Sequence, residues 1–160
     1  MRKLKLQVQM SLDGFAAGPN GELDWIWIGK PDETILHNIV ELADTCDTIL
    51  LGRKMTYGFV EHWENVLDNQ PESHEQPLAK QMVTMRKIVF SRTQTSMKGR
   101  NLEVENGDVT SVVKNLKRQH GKDIMVYGGA TFVSSLISLG LVDEYYFPQT
   151  GCYRGRASNL

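Results

Sequence analysis

The chain has 160 residues, of which 41% are hydrophobic and 23% are charged, and these values are typical of one soluble globular domain. The net charge of −1 and the pI of about 6.4 argue against a general nucleic-acid-binding protein, which needs a basic face. No apolar run approaches the roughly 20 residues that span a bilayer. The basic segment 1–5 leads into an alternating pattern and not into the apolar core of a signal peptide. We therefore expect a cytoplasmic protein without a nucleic-acid or membrane partner.

Cysteine and histidine are too sparse to predict a disulfide framework or a metal site. The two cysteines, Cys46 and Cys152, are far apart in the chain. The histidines lack the i, i+4 spacing of a zinc-binding helix, and they are His37, His62, His74 and His120. We predict that the protein holds no metal. Cys46 lies at a predicted helix-to-strand junction, where we expect a small structural residue.

The N-terminal part of the chain predicts a strand, a loop and a helix. Residues 3–10 have apolar side chains at every second position, a pattern typical of a half-buried strand. Residues 11–24 are rich in glycine, asparagine and proline, which predicts a loop. Residues 32–44 have an apolar stripe at helical spacing, and Asp32 occupies the position of a helix N-cap.

Strands and helices alternate through the rest of the chain. The predicted strands are 47–51, 87–91, 102–104, 124–127 and 142–147, and the predicted helices are 55–60, 77–85, 109–120 and 130–139. Asp108 is the predicted N-cap of the helix at 109–120. Residues 64–77 are polar and contain two prolines, which predicts a surface loop. Alternation of this kind predicts an α/β fold, a single three-layer domain with a mostly parallel central sheet flanked by helices.

Three predicted strands end in residues suited to a phosphorylated ligand. Gly128 and Gly129 follow one strand and precede a helix, an arrangement in which the backbone approaches an anion and helix N–H groups contact it. The polar residues after the other two strands are Arg53, Lys54, Ser91, Arg92 and Thr93. Ligands of parallel sheets bind at the carboxyl ends of strands. A Gly-Gly pair also serves as an ordinary turn, and either arginine alone is compatible with solvated surface charge.

Four short segments share their order and spacing with a known family. They are residues 11–17 (Ser-Leu-Asp-Gly-Phe-Ala-Ala), 51–55 (Leu-Gly-Arg-Lys-Met), 89–93 (Val-Phe-Ser-Arg-Thr) and 126–130 (Val-Tyr-Gly-Gly-Ala). With these segments the chain resembles the dihydrofolate reductase fold superfamily, and most of all the bacterial proteins related to the C-terminal reductase domain of the riboflavin-pathway deaminase-reductase. The resemblance covers a domain at 3–147. It implies that fold, and a homodimer, because relatives of this group are commonly dimers.

The resemblance also implies NADPH as cofactor, bound across the carboxyl edge of the sheet. Residues 128–131 match the segment that cradles the pyrophosphate, and 52–54 match the turn at the adenine-side phosphates. Residues 91–92 match the pair near the ribose 2′-phosphate, where a guanidinium suits a dianion. By this resemblance the cofactor-binding residues are Ala16, Gly52, Arg53, Lys54, Ser91, Arg92, Tyr127, Gly128, Gly129, Ala130, Thr131 and Phe132.

The catalytic carboxylate is less well determined. The loop at 11–24 corresponds in the family to a lid over the nicotinamide, which excludes water during hydride transfer. Asp24, then Asp32, then Asp13 are candidates for the carboxylate that binds the substrate ring or delivers a proton. A helix cap explains Asp32 as well, and a plain turn explains Asp13.

Three aromatic residues near the predicted lid are candidates for substrate binding. Trp25 and Trp27 lie where family members approach the substrate ring, and Phe15 belongs to the loop itself. An aromatic side chain stacks well on a flat heterocycle. Both tryptophans are equally explained as core residues.

The C-terminal tail departs from the family. Residues 148–160 lack the alternation of a strand, whereas relatives continue with Pro-Val, an aliphatic pair and a glycine-rich turn into a final strand. Our hypothesis for this tail is a frameshift near Gln149, because codons shifted by one base can encode Pro-Val-Ala-Ile-Gly-Gly-Gly there. A missing final strand leaves an unpaired sheet edge, which invites association through that edge.

The predicted function is an NADPH-dependent reductase. It transfers hydride to a C=N or C=O bond of a small heterocycle, pterin-like or ribosylaminopyrimidine-like. The alternative is a catalytically silent nucleotide-binding or interaction protein on the same fold. A Rossmann enzyme is disfavoured, because no Gly-x-Gly-x-x-Gly follows the first strand.

Overall fold

Every strand pair of the protein is parallel in the computed structural model, which describes residues 1–11, 14–16, 18, 22 and 33–147. The strands are β1 (Leu4–Gln7), β2 (Cys46–Gly52), β3 (Arg86–Phe90), β4 (Leu102–Glu105), β5 (Asp123–Gly128) and β6 (Glu144–Tyr146). The helices in these ranges are α1 (Glu33–Asp44), α2 (Arg53–Asn69), α3 (Gln76–Thr84), α4 (Val109–Arg118) and α5 (Ala130–Ser138). The strand order is β4-β3-β2-β5-β1-β6. None of these helices is long and apolar enough to span a membrane.

The sheet separates two hydrophobic cores. Alternate side chains of a strand point to opposite faces, so Leu51 packs with α1, α2 and α3 while Leu50 packs with α4 and α5. Helices therefore cover both faces of a parallel sheet, as such sheets require. The predicted three-layer α/β fold is confirmed. The C-terminal tail lies outside the described residues, so the hypotheses about it stay hypotheses.

The prediction of a half-buried first strand is wrong in length and in exposure. The strand is limited to β1, and its polar residues Lys5 and Gln7 are as buried as its leucines. Lys5 Nζ donates to Thr45 Oγ1 at 2.8 Å and pairs with Asp123 Oδ2 at 2.8 Å. These partners allow a lysine to lie in the interior, because a buried charge must be paired. Alternation in β1 therefore does not indicate solvent on one face, since Lys5 has its polar partners inside the fold.

The predicted loop at 64–77 is wrong in its first six residues, because α2 continues to Asn69. Its buried side chains Phe59, Trp63 and Val66 are spaced i, i+4 and i+7, which is one face of a helix. The rings of Phe59 and Trp63 meet edge to face at 6.2 Å. This apolar face outweighs the polar residues around it and extends the helix well beyond the predicted 55–60.

Two local predictions are confirmed. The Asp108 carboxylate accepts a hydrogen bond from Ser111 N at 2.8 Å and caps α4, and this bond lowers the pKa of Asp108. Cys46 is buried at the start of β2, directly after α1, and burial raises the pKa of its thiol. A buried neutral thiol is an inert packing group.

Candidate functional site

At the carboxyl edge of the sheet, the connections that follow the adjacent strands β2 and β5 lead in opposite directions. β2 leads into α2, which packs on one face, and β5 leads into α5, which packs on the other. From β2 the chain moves towards β3, and from β5 it moves towards β6. A crevice forms where neighbouring connections diverge in this way, and ligands of open α/β sheets bind there. We call the segments 52–54 and 129–131 the switch-point crevice.

Two glycines allow the walls of this crevice to approach each other. Gly129 has φ 91° and ψ 86°, a left-handed conformation that favours glycine. A Cβ atom on Gly129 would lie 3.6 Å from the backbone N and Cα of Gly52. A Cβ atom on Gly52 would lie only 2.8 Å from Cβ of Phe132. A side chain on Gly52 would therefore clash with α5, and one on Gly129 would come into van der Waals contact with Gly52.

Both helices that begin at the crevice lack a side-chain cap. Gly52 is the N-cap of α2 and Gly129 is the N-cap of α5, and neither helix has a side-chain hydrogen bond at its start. The first N–H groups of a helix have no partner within the helix and carry about half a positive charge together. By contrast, Asp108 caps α4. The two uncapped starts make the switch-point crevice a suitable seat for phosphate groups.

Cationic side chains surround the crevice without carboxylate partners. Arg53 is half-buried at the first position of α2, and Lys54 and Arg92 are exposed. In the described part of the chain, none of the three forms an ion pair. The buried cations Arg2 and Lys117 differ in this respect, since they pair with Asp47 and Asp143. Within the described residues, the charges of the three crevice cations are therefore not neutralised by a carboxylate.

Ser91 organises the loop that presents Arg92. Its buried hydroxyl oxygen accepts hydrogen bonds from Thr93 N at 3.2 Å and from Gln94 N at 2.9 Å. Its carbonyl oxygen accepts from Asn106 Nδ2 at 2.6 Å. Because the hydroxyl accepts both loop bonds, its own proton remains available for donation to a ligand.

A cleft of about 220 Å³ opens beside the same edge of the sheet, at the carboxyl ends of β1 and β6. We call it the Gln7 cleft. It is lined by Gln7, Asn38, Ile39, Leu42, Tyr146 and Phe147. Since β1 pairs with β5, the cleft lies one strand away from the switch-point crevice. No residue of its described lining was predicted from the sequence.

The sequence profile of the RibD C-terminal domain matches residues 2–150. The chain belongs to the RibD C-terminal domain family. The relatives it matches include two uncharacterized Bacillus subtilis (strain 168) proteins. YyaP is 37% identical over 144 residues, which are 90% of this chain and 72% of YyaP. YwjB is 26% identical over 146 residues, which are 90% of this chain and 74% of YwjB.

Solved structures in the RibD group share the fold. A protein from Shewanella sp. PV-4, provisionally assigned to riboflavin biosynthesis, matches with a TM-score of 0.62 and 16% identity over 97% of this chain and 86% of its own. The Thermotoga maritima diaminohydroxyphosphoribosylaminopyrimidine deaminase/5-amino-6-(5-phosphoribosylamino)uracil reductase matches with a TM-score of 0.57 and 17% identity over 99% of this chain. This chain spans 50% of that bifunctional enzyme. The family resemblance predicted from the sequence is confirmed.

Two residues predicted to bind cofactor in this RibD-type domain have their rings in the cores. Tyr127 meets Phe59 edge to face at 5.6 Å, and burial raises the pKa of its hydroxyl. Phe132 stacks on Phe90 at 5.0 Å. Both rings pack in the cores beside the switch-point crevice, at which Ala130 and Thr131 are exposed.

Two further predicted residues, Phe15 and Ala16, follow β1 in the chain. Phe15 is 63% exposed, and Ala16 is half-buried. Ser11 N donates to Phe15 O at 2.9 Å, which closes a tight turn after β1. Asp13, Asp24, Asp32, Trp25 and Trp27 lie outside the described residues, so their catalytic and substrate-binding roles stay predictions.

Proposed function

We propose that the protein is an NADPH-dependent reductase of a small heterocyclic substrate. The observation that carries this proposal is the pair of helix starts without a side-chain cap at the switch-point crevice, where a Cβ atom on Gly129 would lie only 3.6 Å from the backbone of Gly52. Two helix N-termini and a gap without side chains suit a pyrophosphate, because its charge is spread over several oxygens that accept N–H bonds. Membership of the RibD C-terminal domain family, which is generally NADPH-dependent, supports the same cofactor.

The cations favour NADPH over NADH. Arg92 follows β3 and is exposed, with Ser91 beside it, and it has no ion-pair partner in the described residues. A guanidinium and a hydroxyl suit the ribose 2′-phosphate, which NADH lacks. Arg53 and Lys54 add positive charge at the start of α2. Bound NADPH would supply the hydride that reduces a C=N or C=O bond.

The Gln7 cleft suits the substrate, since it lies one strand from the proposed phosphate seat. The proposed substrate is a pterin-like or ribosylaminopyrimidine-like ring. Proton delivery to the reduced bond is assigned to Asp24, Asp32 or Asp13, in that order, as the sequence predicts.

One observation favours a second candidate, a nucleotide-binding protein without catalysis. The described lining of the Gln7 cleft contains no carboxylate. If the three aspartates named above do not reach the substrate, the fold binds NADPH without turnover. Oxidation of NADPH on addition of 7,8-dihydropterins or aminopyrimidines distinguishes the two candidates, because only the reductase consumes the cofactor.

The test of the cofactor proposal is calorimetric titration of the Arg92→Ala variant with NADPH and with NADH. Loss of charged hydrogen bonds worth roughly 1.5–3 kcal/mol weakens NADPH binding by about 10- to 100-fold and leaves NADH binding unchanged. The matched control is Arg118→Ala, because Arg118 is exposed in the last turn of α4, which leads to the amino end of β5, at the edge of the sheet opposite the crevice. Equal losses for both nucleotides, or an equal loss in the control, would contradict the assignment of Arg92 to the 2′-phosphate.

A further inference from the structure

Gln7 is a buried glutamine at the wall of the Gln7 cleft. It is the last residue of β1, it is only 2% exposed, and it lines the Gln7 cleft. Among the described residues, no group forms a hydrogen bond with its side chain. Lys5, two residues earlier on the same face of the strand, has both Thr45 and Asp123 as partners. The interior therefore satisfies one polar side chain of β1 and leaves the next one open towards the cleft.

An unpaired buried amide is unfavourable for folding. Among the described residues, the fully buried side-chain atom without a partner is Gln81 Oε1, so the Gln7 amide keeps some contact with water in the cleft and its cost lies below the roughly 1–3 kcal/mol of a fully buried amide. An aliphatic side chain of similar size would pack there without this cost. Buried polar groups are nearly always bonded, so an exception in a cleft calls for an explanation. A ligand that supplies the missing hydrogen bonds is the explanation that the position of Gln7 supports.

The described walls of the cleft suit a flat, uncharged ring system. Ile39, Leu42 and Phe147 are apolar, and the Tyr146 hydroxyl is engaged with Glu144 Oε2 at 2.8 Å. The described lining offers no charged side chain to a phosphate or to a carboxylate. A volume of about 220 Å³ exceeds the roughly 150 Å³ that holds a benzene ring and is below the roughly 300–1,000 Å³ of drug-sized pockets. One bicyclic ring fits these limits.

We propose that Gln7 binds the lactam edge of a neutral bicyclic substrate through two parallel hydrogen bonds. The glutamine amide presents an N–H donor beside a C=O acceptor, and a lactam presents the complementary C=O beside N–H. This proposal rests on the proposed function in placing the reducible ring in the Gln7 cleft. It makes Gln7 the residue that selects the substrate, because a site built to hydrogen-bond a group rejects analogues that lack it.

Two stable probes differ only in the lactam. Quinoxalin-2(1H)-one has the lactam edge, and quinoxaline is the same bicycle without it. Calorimetric titration of the full chain should show quinoxalin-2(1H)-one bound at least about tenfold more tightly than quinoxaline. The Gln7→Leu variant should bind both probes equally, and its urea midpoint should equal or exceed that of the unmodified chain. Quinoxalin-2(1H)-one that binds no better than quinoxaline, or a preference that survives in Gln7→Leu, would overturn the proposal.

A second variant tests the direction of the hydrogen bonds. A carboxylate only accepts, so Gln7→Glu should lose the preference for quinoxalin-2(1H)-one and gain affinity for 2-aminoquinoline, which presents donors when protonated. The matched control is Gln119→Leu, an exposed glutamine at the end of α4, which should keep the preference of the unmodified chain. A Gln7→Glu variant that still prefers the lactam would show that Gln7 does not contact it.

A parallel titration with NADPH separates this proposal from the proposed function. NADPH binding without any lactam preference refutes the role of Gln7 and leaves the reductase proposal standing. A lactam preference that depends on Gln7, without NADPH binding, supports the ligand site and refutes the reductase proposal.

Discussion

Replacement of Gly52 by alanine should destabilise the protein through a single contact. Gly52 has φ −80° and ψ 139°, which any residue adopts, so the added methyl group meets no backbone strain. It would lie 2.8 Å from Cβ of Phe132, closer than two carbon atoms pack. Phe132 cannot move freely, because its ring stacks on Phe90 at 5.0 Å. The substitution therefore forces α5 away from β2.

The size of the effect follows from two opposing terms. Overpacking of one methyl group costs roughly 1–3 kcal/mol. Alanine also restricts the conformations of the unfolded chain more than glycine does, which stabilises the folded state by roughly 0.4–1 kcal/mol. We expect a net loss of about 1 kcal/mol in the free energy of unfolding. The matched control is Gly58→Ala, since Gly58 lies within α2 with no atom within 4 Å of an added Cβ. Alanine in a helix interior is favoured by about 0.5–1 kcal/mol.

Urea denaturation followed by circular dichroism measures both variants. The two should differ by about 2 kcal/mol, which is a separation of about 1 M in urea midpoint for a slope near 2 kcal/mol/M. Gly52→Ala should fall below the unmodified chain, and Gly58→Ala should rise above it. A Gly52→Ala midpoint at or above that of Gly58→Ala would refute the reasoning.

Three further predictions concern stability. Lys87→Met should lose about 1–3 kcal/mol at pH 7, because Lys87 Nζ donates to three carbonyls at the end of α3 at 2.8–2.9 Å. Burial lowers the pKa of Lys87 from 10.5 to about 8. Between these pH values the unfolded chain binds more protons than the folded chain, so the unmodified protein gains stability as the pH rises. The stability deficit of Lys87→Met, measured by urea titration, should therefore grow over that range. Asp108→Ala should lower the melting temperature at pH 7, and the deficit should shrink as the pH falls below about 3.8, because the hydrogen bond that lowers the pKa of Asp108 is lost on protonation. Gly129→Ala should cost about 1–2 kcal/mol for its left-handed φ of 91°, and Gly129→Asn should cost less in the same urea assay, since asparagine tolerates that conformation.

Local patterns predicted most of the fold. The Asp108 cap, the glycine pair after β5 and the order of strands and helices are encoded within a few neighbouring residues each. The helix α2 was underestimated, because its polar surface between Glu64 and Asn69 obscured the buried spacing of Trp63 and Val66. Hydrophobic periodicity is the stronger signal in such a segment.

The candidate site was predictable only where chemistry follows directly from a strand end. Arg53 and Arg92 have that position, and the parallel sheet places both at the carboxyl edge. Gln7 does not reveal its role in the sequence, because a polar residue in an alternating strand indicates a solvent-exposed face. Its burial depends on α1 and β6, which lie 26 or more residues away. The inward ring of Tyr127 likewise depends on α2, whose position against β5 is a property of the whole fold.

A crystal structure of the full chain grown with NADPH is the decisive experiment. We expect the pyrophosphate between the starts of α2 and α5, within hydrogen-bond distance of backbone N–H groups in 53–54 and 130–131, with the 2′-phosphate against Arg92. The nicotinamide should lie towards β1 and the Gln7 cleft. A cofactor bound away from the carboxyl ends of β2 and β5, or no bound cofactor at millimolar NADPH, would rule out the proposed cofactor site.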